Sequence, residues 1–114
     1  MADFAHVSER QFANLLDAYG IRWDYEPTTF VLEVDAEGNT VEAFTPDFYL
    51  CDFGTYVELT TLRQPLVTKK NRKVRRLLET HPGIAIKLLY RKDIQRLEAK
   101  YRLADAARDL PLTK

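Results

Sequence analysis

Two spacings of apolar residues alternate along the chain, and each marks a kind of element. Phe12, Leu15, Leu16 and Tyr19 recur on one helix face, so residues 8–19 are expected to be helical. Ser8 is placed to cap that helix, with Gln11 three residues on as in a capping box. Val7 and Phe12 occupy the hydrophobic-staple positions, and Gly20 is placed to end the helix. The period then shortens. Ile21, Trp23 and Tyr25 alternate as a short strand that Pro27 ends, and residues 29–34 are β-branched and apolar. Residues 35–39 are turn formers, residues 40–50 return as a strand, residues 51–54 turn again, and residues 55–61 form the next strand. Helical spacing resumes at Pro65 and runs to about His81, where Pro82 and Gly83 stop it. Residues 84–90 are a strongly apolar strand. Asp93 is expected to cap a last helix, with Ile94, Leu97, Tyr101, Leu103 and Ala104 on its apolar side, and residues 110–114 form a tail.

The order is helix, three or four strands, helix, strand, helix. Strands joined by tight turns are antiparallel, whereas a helical crossover between Thr61 and Ile84 lets the strands on either side lie parallel. The expectation is an α/β fold, a mixed sheet flanked by helices, in a single domain over residues 1–114.

Composition narrows the class. With 114 residues, 46% of them hydrophobic, the chain can bury one core without disulfides or a structural metal. Cys51 is the single cysteine, so no intramolecular disulfide forms, and no Cys/His cluster has zinc spacing. No apolar run reaches the ~18 residues of a membrane span, and the first residues lack the basic-then-apolar layout of a signal peptide, so a cytoplasmic location is expected. Neither His6 nor His81 has a metal-ligand partner nearby in sequence; His81 suits a helix C-terminus. The net charge of 0 hides a division: residues 1–58 hold twelve acids and two bases, and residues 59–114 hold five acids and fifteen bases. Such asymmetry points either to a polyanionic partner or to halves that neutralise each other in the fold.

Residues 44–61 raise a sharper question, because Asp47 and Glu58 interrupt the most strand-like part of the chain. A four-residue loop over 51–54 pairs Leu50 with Thr55, Tyr49 with Tyr56, Phe48 with Val57 and Asp47 with Glu58. The two acids then lie on one face with Cβ atoms ~5 Å apart, a destabilising arrangement. Solvent, a shared proton or a cation can relieve it. A hard divalent cation uses one or two carboxylates and keeps other positions for water and phosphate. The neighbouring Thr45, Tyr49, Tyr56 and Thr60 suit a partly buried cleft.

Glu9 in the first helix, the run from Gly20 through Trp23, Tyr25 and Glu26 to Pro27, the Thr45-Pro46-Asp47-Phe48 run and the Tyr56-Val57-Glu58 run together resemble the PD-(D/E)XK nuclease superfamily, which includes restriction endonucleases and phage junction resolvases. The likeness covers roughly residues 8–91, and the element order αβββαβ matches the restriction-endonuclease-like core. The resemblance implies Mg²⁺ (or Mn²⁺) held by Asp47, Glu58 and the backbone carbonyl of Leu59, with Glu9 reaching the metal directly or through water. The metal of that family activates a water and stabilises charge in the transition state. Glu26 matches a position where the family often carries an acid, and equally suits a site rim. The expected activity is metal-dependent hydrolysis of a nucleic acid, with DNA the expected partner; a homodimer would serve to cut two strands.

One position departs from the pattern. The family's lysine belongs two residues after Glu58, where this chain has Thr60. Six of residues 69–76 are basic, on a helix whose core side carries Leu66, Val74, Leu77 and Leu78. Lys70 falls on that same stripe about one turn from the helix start, so it is expected to reach back over the site; snorkelling at the core edge is its other role. Lys73 is the second candidate, and with Lys69, Arg72, Arg75 and Arg76 it forms the basic face expected to contact phosphates. Two other readings stay open. One is a nuclease-like domain without the lysine, acting as a nucleic-acid-binding or assembly module. The other is an accessory domain of a nucleotide-handling enzyme.

Overall fold

A computed structural model describes residues 7–60 and 64–109, with side chains described except at 64–66 and 101–109. The chain is a small α/β protein, with three helices and a mixed sheet among the described residues. In order, the elements are α1 (Val7–Ala18), β1 (Trp23–Tyr25), β2 (Phe30–Val34), β3 (Thr40–Phe44), β4 (Phe48–Leu50), β5 (Thr55–Thr60), α2 (Gln64–Thr80), β6 (Ile86–Tyr90) and α3 (Arg91–Asp109). His6 and the tail lie outside the described residues, as do the side chains of Leu66, Tyr101, Leu103 and Ala104.

Four strands form one sheet in the order β1-β4-β5-β6. β1 and β5 flank β4 antiparallel, and β6 joins β5 in parallel after the α2 crossover, as expected. The turn over 51–54 sets the register that loop length predicts: Phe48↔Val57, Tyr49↔Tyr56 and Leu50↔Thr55. Gly54 closes the turn at φ 61, a backbone conformation that favours glycine.

The expected strand over 40–50 is in fact two strands in two sheets. β3 pairs only with β2, in a separate two-stranded hairpin, and β4 pairs with β1 and β5. The break falls at Thr45-Pro46-Asp47. Pro46 has no N–H to give a ladder, and it is fully buried where the chain passes from one sheet to the other.

Helices cover both faces of the four-stranded sheet. Phe48, Val57 and Leu59 face α1 and α3, where they pack with Phe12, Ala13, Leu15, Leu16 and Ile94. Phe48 is completely buried, with the rings of Phe12, Trp23 and Tyr25 standing edge-on to it at 5.2, 5.5 and 5.5 Å. On the opposite face, Leu77 of α2 packs with Phe30, Leu32 and Phe44 of the hairpin, and Tyr56 and Ile86 border that second core.

Helix ends depart slightly from the expectations. α1 begins at Val7, so Ser8 lies inside it, and Val7 is exposed rather than stapled. Its C-terminus closes as a Schellman motif: Ile21 N–H donates to Leu16 O at 2.8 Å, Gly20 N–H donates to Asp17 O at 3.0 Å, and Gly20 has φ 71. Asp93 is not the N-cap of α3. The helix starts directly after β6, and Asp93 reaches back to accept the Tyr90 N–H at 2.8 Å, the N3 half of a capping box. No described helix is long and apolar enough to cross a membrane.

Phe48→Ala removes the ring on which both α1 and β1 converge. It is expected to lower unfolding free energy by about 3–5 kcal/mol, measured by urea denaturation. A loss below ~1 kcal/mol would show that the first core is not organised around this residue.

Candidate functional site

The β4–β5 ladder ends at Phe48↔Val57, and the next pair of residues is joined by side chains instead. The Asp47 N–H donates to Glu58 Oε1 at 3.0 Å, and the Leu59 N–H donates to Asp47 Oδ2 at 2.9 Å. Each carboxylate thus accepts a backbone donor from the opposite strand. The acids do face each other as the register implies, and they are not on a wet outer face. Asp47 is 7% exposed and Glu58 4%.

Lys70 enters from α2. Its Nζ lies 2.9 Å from Glu58 Oε2 and donates to the Leu59 carbonyl at 2.6 Å. Helical spacing puts Lys70 on the stripe of Val74 and Leu77, and the crossover lays that stripe over the β5 face that carries Tyr56, Glu58 and Thr60. Glu58 therefore has a partner for each oxygen: a backbone N–H on one and an ammonium on the other.

Burial and mutual repulsion reshape the acidity of the pair. Asp47 is pushed up to about 7, first by desolvation and then by the charge of Glu58; Glu9 adds a smaller push, while the Leu59 N–H and Lys70 oppose it. Glu58 is also raised, again by desolvation, with Lys70 opposing most strongly. The two carboxyls thus share a proton toward neutral pH, and Lys70 beside Glu58 biases it to Asp47.

Glu9 comes from the other side of the sheet. It is 5% exposed and accepts the Tyr25 hydroxyl at 2.5 Å on Oε1. Tyr25 is held in turn by its ring contact with Phe48. Just beyond β1, Glu26 is exposed and has φ 46, rare for a residue with a side chain, and its N–H donates to Asp47 O at 2.8 Å. Glu26 thus serves the site through its backbone. Thr60 is 2% exposed, and its Oγ1 has no hydrogen-bond partner among the described residues.

A cleft of about 410 Å³ opens beside Glu58. Phe44 and Thr45 line it from the chain leading into Asp47, and Lys69, Lys70 and Lys73 from α2. The Thr45 and Thr29 hydroxyls are 2.8 Å apart at its edge. Lys73 donates to the Ala43 carbonyl at 3.3 Å and does not reach the carboxylates. The other basic residues separate into two groups. Lys69 and Arg75 are exposed and form no ion pair among the described residues. Arg72 pairs with Glu42, and Arg76 donates to Leu32 O at 3.1 Å and contacts Glu79 at 3.4 Å. These two arginines face the hairpin, and the Arg72–Glu42 pair cancels part of the charge division between the halves.

Among the described residues no group of three or more His, Cys, Asp or Glu is arranged to hold a metal ion. The available donor set is two carboxylates and the Leu59 carbonyl. All are hard oxygen donors, which suit Mg²⁺ or Mn²⁺. Sequence reasoning missed Tyr25 as the partner of Glu9. Its alternation with Trp23 marked it as a core residue; the phenolic oxygen was the available signal, since a buried tyrosine needs a partner.

The raised pKa of Asp47 sets the sign of a pH effect. An unperturbed aspartate titrates near 3.8, and in the fold Asp47 is pushed up to about 7. The folded state therefore binds a proton that the unfolded state releases, and stability is fully present below the lower value and lost as pH rises through the upper one. In EDTA, wild type is expected to lose stability between pH 4 and pH 7, by ~1.4 kcal/mol for each unit of displacement at most. Asp47→Asn should flatten that slope and melt higher than wild type above pH 7. Denaturation curves across the range check it; a variant that melts lower throughout would refute the shared proton.

No family model, no curated protein and no solved structure matches this chain, so the site's own geometry carries the functional reading.

Proposed function

We propose that the chain is a metal-dependent phosphodiesterase acting on nucleic acid, built on a restriction-endonuclease-like core. The observation that carries this reading is the cluster of Asp47, Glu58 and Lys70, with the Lys70 ammonium 2.9 Å from Glu58 although it lies twelve positions further along the chain and on another element. Two buried acids with raised pKa values beside a partly exposed lysine-lined cleft are the mark of a site that works on charged substrate.

Asp47, Glu58 and the Leu59 carbonyl would hold Mg²⁺ or Mn²⁺. That ion, when bound, supplies a nucleophilic water and offsets charge developing on the phosphate. Glu9, fixed by Tyr25, adds negative charge on the far side of Asp47. Lys70 supplies the positive charge that Thr60 cannot, entering from α2 where the family pattern has a strand lysine. Lys69 and Lys73 line the approach to the cleft and favour an anionic backbone within it. Arg75, two residues from Lys73 on α2, falls on the side of the helix turned from the cleft; Arg72 and Arg76 contribute less than Lys69 and Lys73, being engaged with Glu42 and with Leu32 O.

A second reading has an observation of its own. Thr60 stands where the family has lysine, and the Lys70–Glu58 pair is already complete without metal. A non-catalytic nucleic-acid-binding module would look the same.

A cleavage assay on mixed single-stranded, duplex and branched DNA and RNA, with Mg²⁺, Mn²⁺ or EDTA, separates the two. The catalytic reading expects metal-dependent products that Asp47→Ala and Glu58→Ala abolish. Lys70→Ala should lower the rate by about 10²-fold or more with little loss of binding. Lys69→Ala should instead weaken binding and reduce its salt dependence, by a slope of ~0.7–0.9 per contact removed, and Arg75→Ala, on the side of α2 turned from the cleft, should do so far less. Salt-dependent binding without products under any condition selects the second reading.

A further inference from the structure

We propose that the Lys70 ammonium is a resident cation of the Asp47–Glu58 site, and that a divalent ion loads the site by displacing it from the Leu59 carbonyl. This rests on the metal-dependent reading above. The observation is a coincidence of ligands. Of the three donors assigned to the metal, two are held by one ammonium: Glu58 Oε2 at 2.9 Å and Leu59 O at 2.6 Å. An ammonium is a compact point charge with three donors, well suited to bridge a carboxylate and a carbonyl.

Elementary electrostatics gives the ammonium its role. Glu58 is almost wholly buried, and a buried carboxylate without a partner is strongly destabilising. Lys70 compensates it from within the chain. Divalent ions bind oxygen at ~2.0–2.6 Å, so a metal on the Leu59 carbonyl and an ammonium at hydrogen-bond distance from that oxygen repel each other at close range. The ammonium and the metal therefore compete at this oxygen. Lys70 also lines the cleft, so the same exchange frees a positive group toward whatever phosphate enters it. Metal loading and phosphate binding thereby become linked through a single side chain. Lys73, one turn further along α2, provides the comparison: it lines the same cleft but donates to Ala43 O, not to the carboxylates.

Acetylation of the wild-type protein, read residue by residue by mass spectrometry, tests the exchange without any activity. In EDTA, Lys70 is expected to react several-fold more slowly than exposed Lys69, and saturating Mn²⁺ should bring the two close together. Calorimetric titration with Mn²⁺ then compares wild type, Lys70→Met and Lys73→Met. Lys70→Met should bind Mn²⁺ about tenfold more tightly or better, because no ammonium has to leave, whereas Lys73→Met should change affinity far less. If Lys70→Met fails to fold, the wild-type labelling decides. Mn²⁺ binding that leaves Lys70 reactivity unchanged, or a Lys70→Met affinity equal to or weaker than wild type, overturns the exchange while leaving the metal site standing. An absence of Mn²⁺ binding to all three proteins overturns the exchange and the metal-dependent reading together.

Discussion

Asp47 and Glu58 each accept a backbone N–H from the strand opposite, and this reciprocal pair of hydrogen bonds ties two buried acids to the hairpin that carries them. Neither acid can swing out to solvent without leaving a peptide donor unpaired in the interior, which costs ~1–3 kcal/mol. The fold therefore has to accommodate two carboxyls at close quarters. It does so by raising the pair's affinity for a proton and by bringing Lys70 across from α2. The position of α2, the parallel register of β6 on β5 and the packing of Leu77 on the hairpin all serve to hold that lysine in reach.

Much of this was legible in the order of residues, because it depends on local rules. A four-residue turn and a period of two fix which residues of β4 and β5 meet, and they do meet as counted. A period of 3.6 fixes which side of α2 Lys70 shares with Val74 and Leu77, and the ammonium lies over Glu58 as that side requires. What was not legible depends on packing between distant segments. Nothing local says that the hairpin of β2 and β3 leaves the main sheet to cover α2, and so nothing says that Arg72 and Arg76 turn inward to Glu42 and Leu32. Pro46 carried a partial signal, since a missing donor marks a place where a ladder cannot continue. Its reading required knowing that strands lay on both sides. Tyr25 was legible as a buried ring and not as the donor to Glu9, because alternation reports which face a residue takes and not what its far end touches.

A lysine on α2 gives the site a different dependence from a lysine on β5. A strand residue two positions from Glu58 moves with it, whatever the rest of the fold does. Lys70 is instead carried to Glu58 by α2, which packs on the sheet through Leu77 and Val74 against Tyr56 and Ile86. Residues of that core thus govern the carboxylate–ammonium distance although none of them touches it. Thr60, on the same face of β5, is buried with a hydroxyl that has no hydrogen-bond partner among the described residues.

The passage through Thr45, Pro46 and Asp47 has a mechanical consequence. Three residues are all the chain that separates Phe44, in the core beneath the hairpin, from Phe48, in the core beneath α1. A proline in the middle leaves that link little freedom. Among the described residues the hairpin's core has four buried apolar members and the other has eight, so the hairpin is the unit expected to lift first in a partial opening. Because the link has no slack, such an opening pulls on Asp47 while Glu58 stays seated between β4 and β6. In that opening the distance between the two acids is expected to widen, so that loosening of the hairpin reaches the site through three residues of backbone.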